Sequence, residues 1–260
     1  YNGDVDKQMK KVIEYFVTKQ AAAEIYVGTD YKETSISSNV YKIIRNCQLQ
    51  GGLAIACGDA GIGKTQACRQ YYREHGTNCI YITVNPCIKS SKSVLELIGS
   101  KLNVSSGSVS RLWLEISSKL SDGMVIIVDE AQHLTRNAID TLRSLCDCFD
   151  EKGQTLGICF VGNETTVSRL GGKQKAEFAQ IRNRTKNTRF YSVKQIKKSD
   201  IEMLFPDIRE DTTAVEFLLC IAQSPQAIRG AVNLYSNALD NGNVTAKGLS
   251  AIAKYMDMAV

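Results

Sequence analysis

The amino-acid sequence predicts an α/β fold, in which a parallel five-stranded sheet is flanked by helices and followed by a small helical domain. Five short segments are apolar, rich in β-branched and aromatic residues, and bounded by glycine or polar turns. Helical spacing of Leu, Ile, Val and Ala fills the intervals between them, as is typical of a parallel sheet with helices on both faces. From about residue 198 the strand pattern stops and only helical patterns follow.

The elements follow one another in a regular order along the chain. The predicted strands are residues 53–57, 79–84, 124–129, 156–161 and 188–193. The helices predicted between them are 64–75, 91–102, 108–120 and 134–150, and those of the helical domain are 198–205, 211–223, 226–239 and 245–257. Ser199, Asp211 and Thr245 are predicted N-caps. We therefore expect three parts: a helical lead-in at 1–27, an α/β core at 28–196 and a helical domain at 197–260.

Composition narrows the functional classes. The net charge of +5 is mild, so basic residues bear on function only where they cluster. The nine cysteines include no CxxC pair, which argues against a zinc site and favours free, mostly buried thiols in a reducing cytoplasm. Apolar runs are too short to cross a bilayer, so no membrane partner is expected. Because the sequence begins with Tyr1, we expect further residues upstream.

The segment GDAGIGKT, residues 58–65, follows a predicted strand and opens a predicted helix. This is the context that a phosphate-binding loop requires, since glycines let successive backbone N–H groups turn inward around phosphates. Lys64 supplies a positive charge to the β- and γ-phosphate oxygens, and the Thr65 hydroxyl can ligate magnesium. The sequence therefore predicts binding of ATP and Mg²⁺.

Two carboxylates end the strand MVIIVDE, residues 124–130. Asp129 is placed to hold the magnesium shell and Glu130 to activate water, so the pair indicates hydrolysis. Asn163, after the fourth strand, is a candidate to reach the attacking water or the γ-phosphate. The alternative for Asn163 is an ordinary turn asparagine.

Arginines supply the remaining candidate charges. The stretch QIRNRTKNTRF contains Arg182, Arg184 and Arg189, and one of them is expected to act on a neighbouring subunit's nucleotide, with Arg184 favoured over Arg182. A solvated basic surface is the alternative. Arg229, early in a helix, either brings a cation to the phosphates or lies on the surface. The predicted nucleotide contacts are Gly58, Asp59, Ala60, Gly61, Ile62, Gly63, Lys64, Thr65, Gln66, Asp129 and Arg229.

This order of motifs resembles the AAA+ ATPases and, more closely, the transposition ATPases typified by the phage Mu B protein. The segments that carry the resemblance are YKETSISSNVYKIIRNC, GDAGIGKTQA, VDEAQHL, VGNE and EFAQIRNR. The resemblance implies ATP-dependent oligomerisation into helical filaments or rings around duplex DNA, target-site selection and stimulation of a transposase. Residues 1–16 resemble the tail of a helix-turn-helix domain that would lie mostly upstream.

Charge clustering fits a DNA partner. Residues 173–198 hold nine Lys or Arg against a single acid, Glu177. Such clusters neutralise phosphates without reading bases, although a solvated basic face is an alternative. The predicted DNA contacts are Lys89, Lys92, Arg136, Lys173 and Lys175.

Other functions with the same motifs stay open. An initiator or helicase-loader ATPase would have a helicase as its partner instead of a transposase. A signalling or secretion ATPase would bind protein instead of DNA. We expect the chain to act in the cytoplasm of a bacterium, encoded by the bacterium or by a phage.

Overall fold

A computed structural model of the chain describes residues 8–17, 31–166 and 185–258. It contains a five-stranded sheet whose strands all pair in parallel, in the order β2-β3-β4-β1-β5. The strands are β1 (Gly52–Gly58), β2 (Cys79–Thr83), β3 (Met124–Asp129), β4 (Leu156–Gly162) and β5 (Thr185–Tyr191). The predicted α/β fold class is confirmed. This strand order brings the carboxyl ends of β1, β3 and β4 to one edge of the sheet.

Nine helices have both ends inside the described ranges 31–166 and 185–258, and they are numbered in chain order. They are α1 (Ser35–Gln50), α2 (Lys64–His75), α3 (Ser91–Lys101), α4 (Val109–Lys119), α5 (Arg136–Glu151), α6 (Lys198–Leu204), α7 (Thr212–Ala222), α8 (Ala227–Asp240) and α9 (Ala246–Tyr255). Short 3-10 turns occupy Ala131–His133, Val193–Gln195 and Pro206–Ile208. Residues 8–17 are also helical, and their apolar side chains are exposed.

Capping residues explain where several helices begin. Asp211 and Thr245 accept backbone N–H bonds at the starts of α7 and α9, as predicted. The prediction for Ser199 is wrong, because α6 already begins at Lys198. Its first turn is closed by Asp200, whose carboxylate accepts the Lys197 N–H at 2.9 Å. The same buried carboxylate accepts the N–H of Ser35 at 2.6 Å and so joins α6 to α1.

The last strand starts and ends earlier than predicted. We expected residues 188–193, and β5 spans Thr185–Tyr191. As an edge strand it exposes most of its residues, so its first part lacks the apolar signal of the inner strands. It ends where the Val193 N–H donates to Asp59 Oδ2 at 2.8 Å. β5 is thereby tied to the loop after β1.

Two buried apolar layers hold the sheet in place. One lies between the sheet, α1, α2 and the helices after residue 198, and the other between the sheet and α3, α4 and α5. β3 is buried along its whole length, with Val125 and Ile127 in the first layer and Ile126 and Val128 in the second. Burial on both faces fixes the strand ends that carry the site. Over the described ranges, no helix is both long and apolar enough to cross a membrane.

Candidate nucleotide site

The loop between β1 and α2 has the backbone of an anion-binding turn. Gly61 and Gly63 adopt φ values of 77° and 97°, in the left-handed region that favours glycine. At Gly58 a Cβ atom would lie 2.0 Å from the Tyr191 carbonyl oxygen, so only glycine fits beside β5. The loop ends at the N-terminus of α2, where free N–H groups and the helix dipole favour a phosphate.

Lys64 places its ammonium group inside this loop. Its Nζ donates to the carbonyl oxygens of Gly58 at 2.9 Å and Asp59 at 2.6 Å. Burial lowers the pKa of Lys64, while the nearby charges of Asp129 and Glu130 oppose that shift. A cation held in a concave loop of backbone donors is suited to an anionic ligand such as a polyphosphate.

Asp129 ends β3 beside the phosphate-binding loop and is 2% exposed. Its Oδ2 accepts hydrogen bonds from the Thr65 hydroxyl at 2.9 Å and from the Tyr81 hydroxyl at 3.0 Å. Burial raises the pKa of the Asp129 carboxyl, and these two donors act in the opposite direction. The carboxylate and hydroxyl oxygens of Asp129 and Thr65 form a hard donor set, which fits Mg²⁺.

Tyr81 was missed by sequence reasoning. It lies on β2, which pairs with β3 so that Thr83 stands opposite Asp129. Burial and the neighbouring Asp129 raise the pKa of Tyr81 to about 12, so its hydroxyl is a protonated donor at neutral pH. No local motif marks this tyrosine, and only the adjacency of β2 and β3 reveals its role.

Glu130 follows Asp129 with a φ of 58°. A left-handed conformation is uncommon outside glycine, and such residues cluster at functional sites. Its carboxylate accepts a hydrogen bond from Gln132 Nε2. A second residue that sequence reasoning missed, Gln132, therefore holds the side chain of Glu130.

Asn163 lies just after β4 at the same edge of the sheet. Its Oδ1 accepts the N–H of Thr165 at 3.0 Å and the Thr165 hydroxyl at 2.6 Å, the local bonding of a turn asparagine. Its backbone N–H donates to Gln132 Oε1 at 3.3 Å. The structure thus brings Asn163 next to the Glu130 turn, with Gln132 between them.

The helices after residue 198 reach the phosphate-binding loop through α8. The Arg229 N–H donates to the Gly61 carbonyl oxygen at 3.2 Å, and a Cβ on Gly61 would lie 3.1 Å from that of Ala227. The Arg229 side chain is exposed, as are Ala60 at the loop tip and Gln66 in the first turn of α2. Ile62 is fully buried and anchors the loop.

Three predicted DNA contacts come together on one exposed surface, which we term the loop patch: Lys89, Lys92 and Arg136. The Thr135 N–H donates to the Lys89 carbonyl oxygen at 2.9 Å, which joins the loop after β2 to the start of α5. Lys92 is paired with Glu96 at 3.9 Å and Arg136 with Asp140 at 3.8 Å, both on exposed helix surfaces. The predicted contacts Lys173 and Lys175, and the arginine candidates Arg182 and Arg184, lie outside the described residues.

Arg189, the third arginine of that stretch, lines a separate groove between α1 and β5. This cavity of about 560 Å³ also includes Lys42 and Lys197, and none of the described residues that line it is acidic. Arg189 therefore lies on the edge of the sheet formed by β5, apart from the strand ends that carry Asp129 and Glu130.

Comparison with known proteins agrees with this geometry. Residues 47–170 match a protein family described as AAA domain. The chain is 28% identical over 256 residues to the ATP-dependent target DNA activator B of Escherichia phage Mu, covering 95% of the chain and 77% of that protein. It is 28% identical over 247 residues to the Mu-like prophage FluMu DNA transposition protein B of Haemophilus influenzae, covering 91% and 82%.

Solved structures share the fold at low sequence identity. The Aeropyrum pernix ORC2 protein aligns with a TM-score of 0.62 at 11% identity, covering 88% of the chain and 71% of that structure. Domain III of the Thermotoga maritima replication initiation protein DnaA aligns with a TM-score of 0.55 at 11% identity, covering 86% and 93%. The chain is thus an ATPase of the AAA+ class. Its sequence is similar to the Mu B-like transposition proteins over more than nine-tenths of its length.

Proposed function

We propose that this ATPase binds duplex DNA with little sequence preference, oligomerises on it, and regulates transposition by target-site selection and transposase activation. The ATPase part of this proposal rests on one observation. The Thr65 hydroxyl of the phosphate-binding loop donates a 2.9 Å hydrogen bond to Asp129, and Glu130 follows Asp129 in the sequence. The transposition part rests on the names of the relatives, which come from phages and a bacterial prophage and so favour action in a bacterial host.

The proposed chemistry is hydrolysis of ATP to ADP and phosphate. Lys64 and the loop N–H groups bind the β- and γ-phosphates, and Thr65 and Asp129 would hold Mg²⁺, which supplies positive charge against the phosphates. Glu130 accepts a proton from water as the water oxygen attacks the γ-phosphorus and the bond to the bridging oxygen breaks. Asn163 is the proposed residue that orients this water.

A division into three parts accompanies this chemistry. We assign residues 1–27 to a helical lead-in, 28–196 to the ATPase core and 197–260 to a helical lid. The bond between the Arg229 N–H and Gly61 supports a lid that responds to nucleotide, because it joins α8 directly to the phosphate-binding loop. In this role the Arg229 side chain brings a cation to the phosphates.

The loop patch is the proposed DNA contact among the described residues, with Lys173 and Lys175 as further contacts. The Val84 N–H donates to the Asp129 carbonyl oxygen at 3.0 Å, so the loop that carries Lys89 begins at the magnesium-binding strand end. This connection supports coupling between nucleotide and DNA. Lysine and arginine side chains contact phosphates without distinguishing bases, which suits a protein that accepts many target sequences.

Neutralising the loop patch is expected to weaken binding to all DNA sequences alike. For Lys89→Ala combined with Lys92→Ala, we expect the slope of log affinity against log salt to become shallower by about one per lost phosphate contact. Fluorescence anisotropy with two unrelated duplexes and ATP, at several salt concentrations, measures this slope. Lys247→Ala with Lys254→Ala is a charge-matched control on α9, where both side chains are exposed. An unchanged slope in the loop-patch variant would show that Lys89 and Lys92 face solvent and do not contact DNA phosphates.

An arginine acting on the neighbouring subunit gives a separate prediction. If Arg184 has this role, Arg184→Ala and Glu130→Gln are each inactive alone. A mixture of the two regains activity on DNA, because one junction in about four of a random 1:1 assembly joins an intact Glu130 to an intact Arg184. Steady-state ATPase assays of the mixture measure this recovery. If the variants assemble together and the mixture shows only the sum of their backgrounds, the assignment is wrong; recovery with Arg182→Ala instead moves the role to Arg182.

A further inference from the structure

The side-chain amide of Gln132 joins two strand ends. Its Nε2 donates to the Glu130 carboxylate, and its Oε1 accepts the Asn163 N–H at 3.3 Å. Glu130 follows β3 and Asn163 follows β4, which are neighbours in the sheet. The Gln132 side chain therefore connects Glu130, the candidate base, to the end of β4, where Asn163 is the candidate for orienting water.

The backbone is shaped to admit this amide. A Cβ on Gly162 would lie 2.5 Å from Gln132 Oε1, so a larger residue there would displace the amide. Gln132 sits at the centre of the 3-10 turn Ala131–His133, between Ala131 and Leu134, which are each 1% exposed. These buried neighbours anchor the turn, and the positive φ of Glu130 turns the chain so that Gln132 reaches back to it.

The two ends of the amide have different tasks. The Glu130 carboxylate accepts hydrogen bonds and the Asn163 N–H donates one, so the contact requires a group with a donor at one end and an acceptor at the other. Glutamate supplies only acceptors when ionised, and methionine has the length but lacks the amide. A neutral donor also leaves the carboxylate its charge and its other lone pairs, which a base needs to accept a proton from water.

We propose that Gln132 is a positioning residue that fixes the Glu130 carboxylate relative to the end of β4. This inference rests on the proposed role of Glu130 as the base. A glutamate side chain turns about three bonds, and a hydrogen bond from an anchored amide restricts it to the orientation in which water is activated. Gln132 acts on hydrolysis through Glu130 and makes no proposed contact with nucleotide.

The test is a double-mutant cycle between Gln132→Met and Glu130→Gln, measured by single-turnover ATP hydrolysis and by nucleotide titration. Gln132→Met is expected to slow hydrolysis roughly tenfold or more, since displacement of a catalytic group is costly, while nucleotide affinity stays within about twofold. In the Glu130→Gln background the same change is expected to have an effect of less than about twofold. Gln154→Met, at an exposed position just before β4, is the matched control.

The outcomes separate this inference from the proposed function. A wild-type rate for Gln132→Met overturns the positioning role, and so does an equal loss in both backgrounds, because Gln132 would then act through the fold. If Glu130→Gln itself hydrolyses ATP normally, the assignment of the base fails and the positioning role falls with it. Should the methionine variant fail to fold, Gln132→Glu keeps the shape without the donor, and a wild-type rate in that variant is equally decisive.

Discussion

Lys64→Ala is expected to abolish ATP binding at concentrations that saturate the wild-type protein. The ammonium group of Lys64 lies inside the phosphate-binding loop and donates to the carbonyl oxygens of Gly58 and Asp59. With ATP bound, this ammonium group would pair with the phosphates away from bulk water. Removing one partner of such a charge pair costs about 3–5 kcal/mol, which corresponds to a loss of roughly a hundredfold to a few thousandfold in ATP affinity. In the proposed function assembly on DNA depends on nucleotide, so DNA binding is lost as well.

Titration with a fluorescent ATP analogue measures the loss of affinity, and anisotropy with labelled duplex DNA measures assembly. Thermal unfolding without nucleotide shows whether the variant is folded. Lys254→Ala, an exposed position on α9, controls for loss of a lysine elsewhere. ATP-dependent assembly of Lys64→Ala on DNA at the wild-type nucleotide concentration would contradict both the role of Lys64 and the dependence of assembly on nucleotide.

Local sequence patterns were sufficient to predict which strands the phosphate-binding loop and the Asp129–Glu130 pair follow. The phosphate-binding loop and the Asp129–Glu130 pair follow strands that are buried on both faces, and such strands have continuous apolar runs that are easily recognised. The edge strand β5 lacks such a run, and its bounds were displaced by up to three residues. The N-cap of α6 was mispredicted because the helix begins at Lys198, where Asp200 accepts the Lys197 N–H.

Contacts between strands could not be predicted without the strand order. Tyr81 reaches Asp129 because β2 lies beside β3, and Gln132 reaches Asn163 because β3 lies beside β4. Neither pairing follows from spacing along the chain. The loop patch illustrates the same limit, because a backbone hydrogen bond between Thr135 and Lys89 brings together segments that are distant in sequence.

Glu130→Gln is expected to separate hydrolysis from binding. The change removes the proton acceptor but keeps the side chain's shape, and the amide oxygen of the new glutamine can still accept the hydrogen bond from Gln132. Loss of a general base lowers kcat by about 10²–10⁴-fold, whereas Lys64, Thr65 and Asp129 are untouched and nucleotide affinity stays near the wild-type value.

The lifetime of the protein–DNA complex is the sharper measurement for this variant, because in the proposed function the protein leaves DNA only after it hydrolyses ATP. Complexes formed with ATP by Glu130→Gln are expected to outlast those of the wild type when excess unlabelled DNA is added and anisotropy is followed with time. Glu216→Gln, an exposed position on α7, is the matched control and should release at the wild-type rate. Hydrolysis within tenfold of wild type would remove Glu130 from its role as the base. Slow hydrolysis with normal release would instead keep that role and show that release does not depend on hydrolysis.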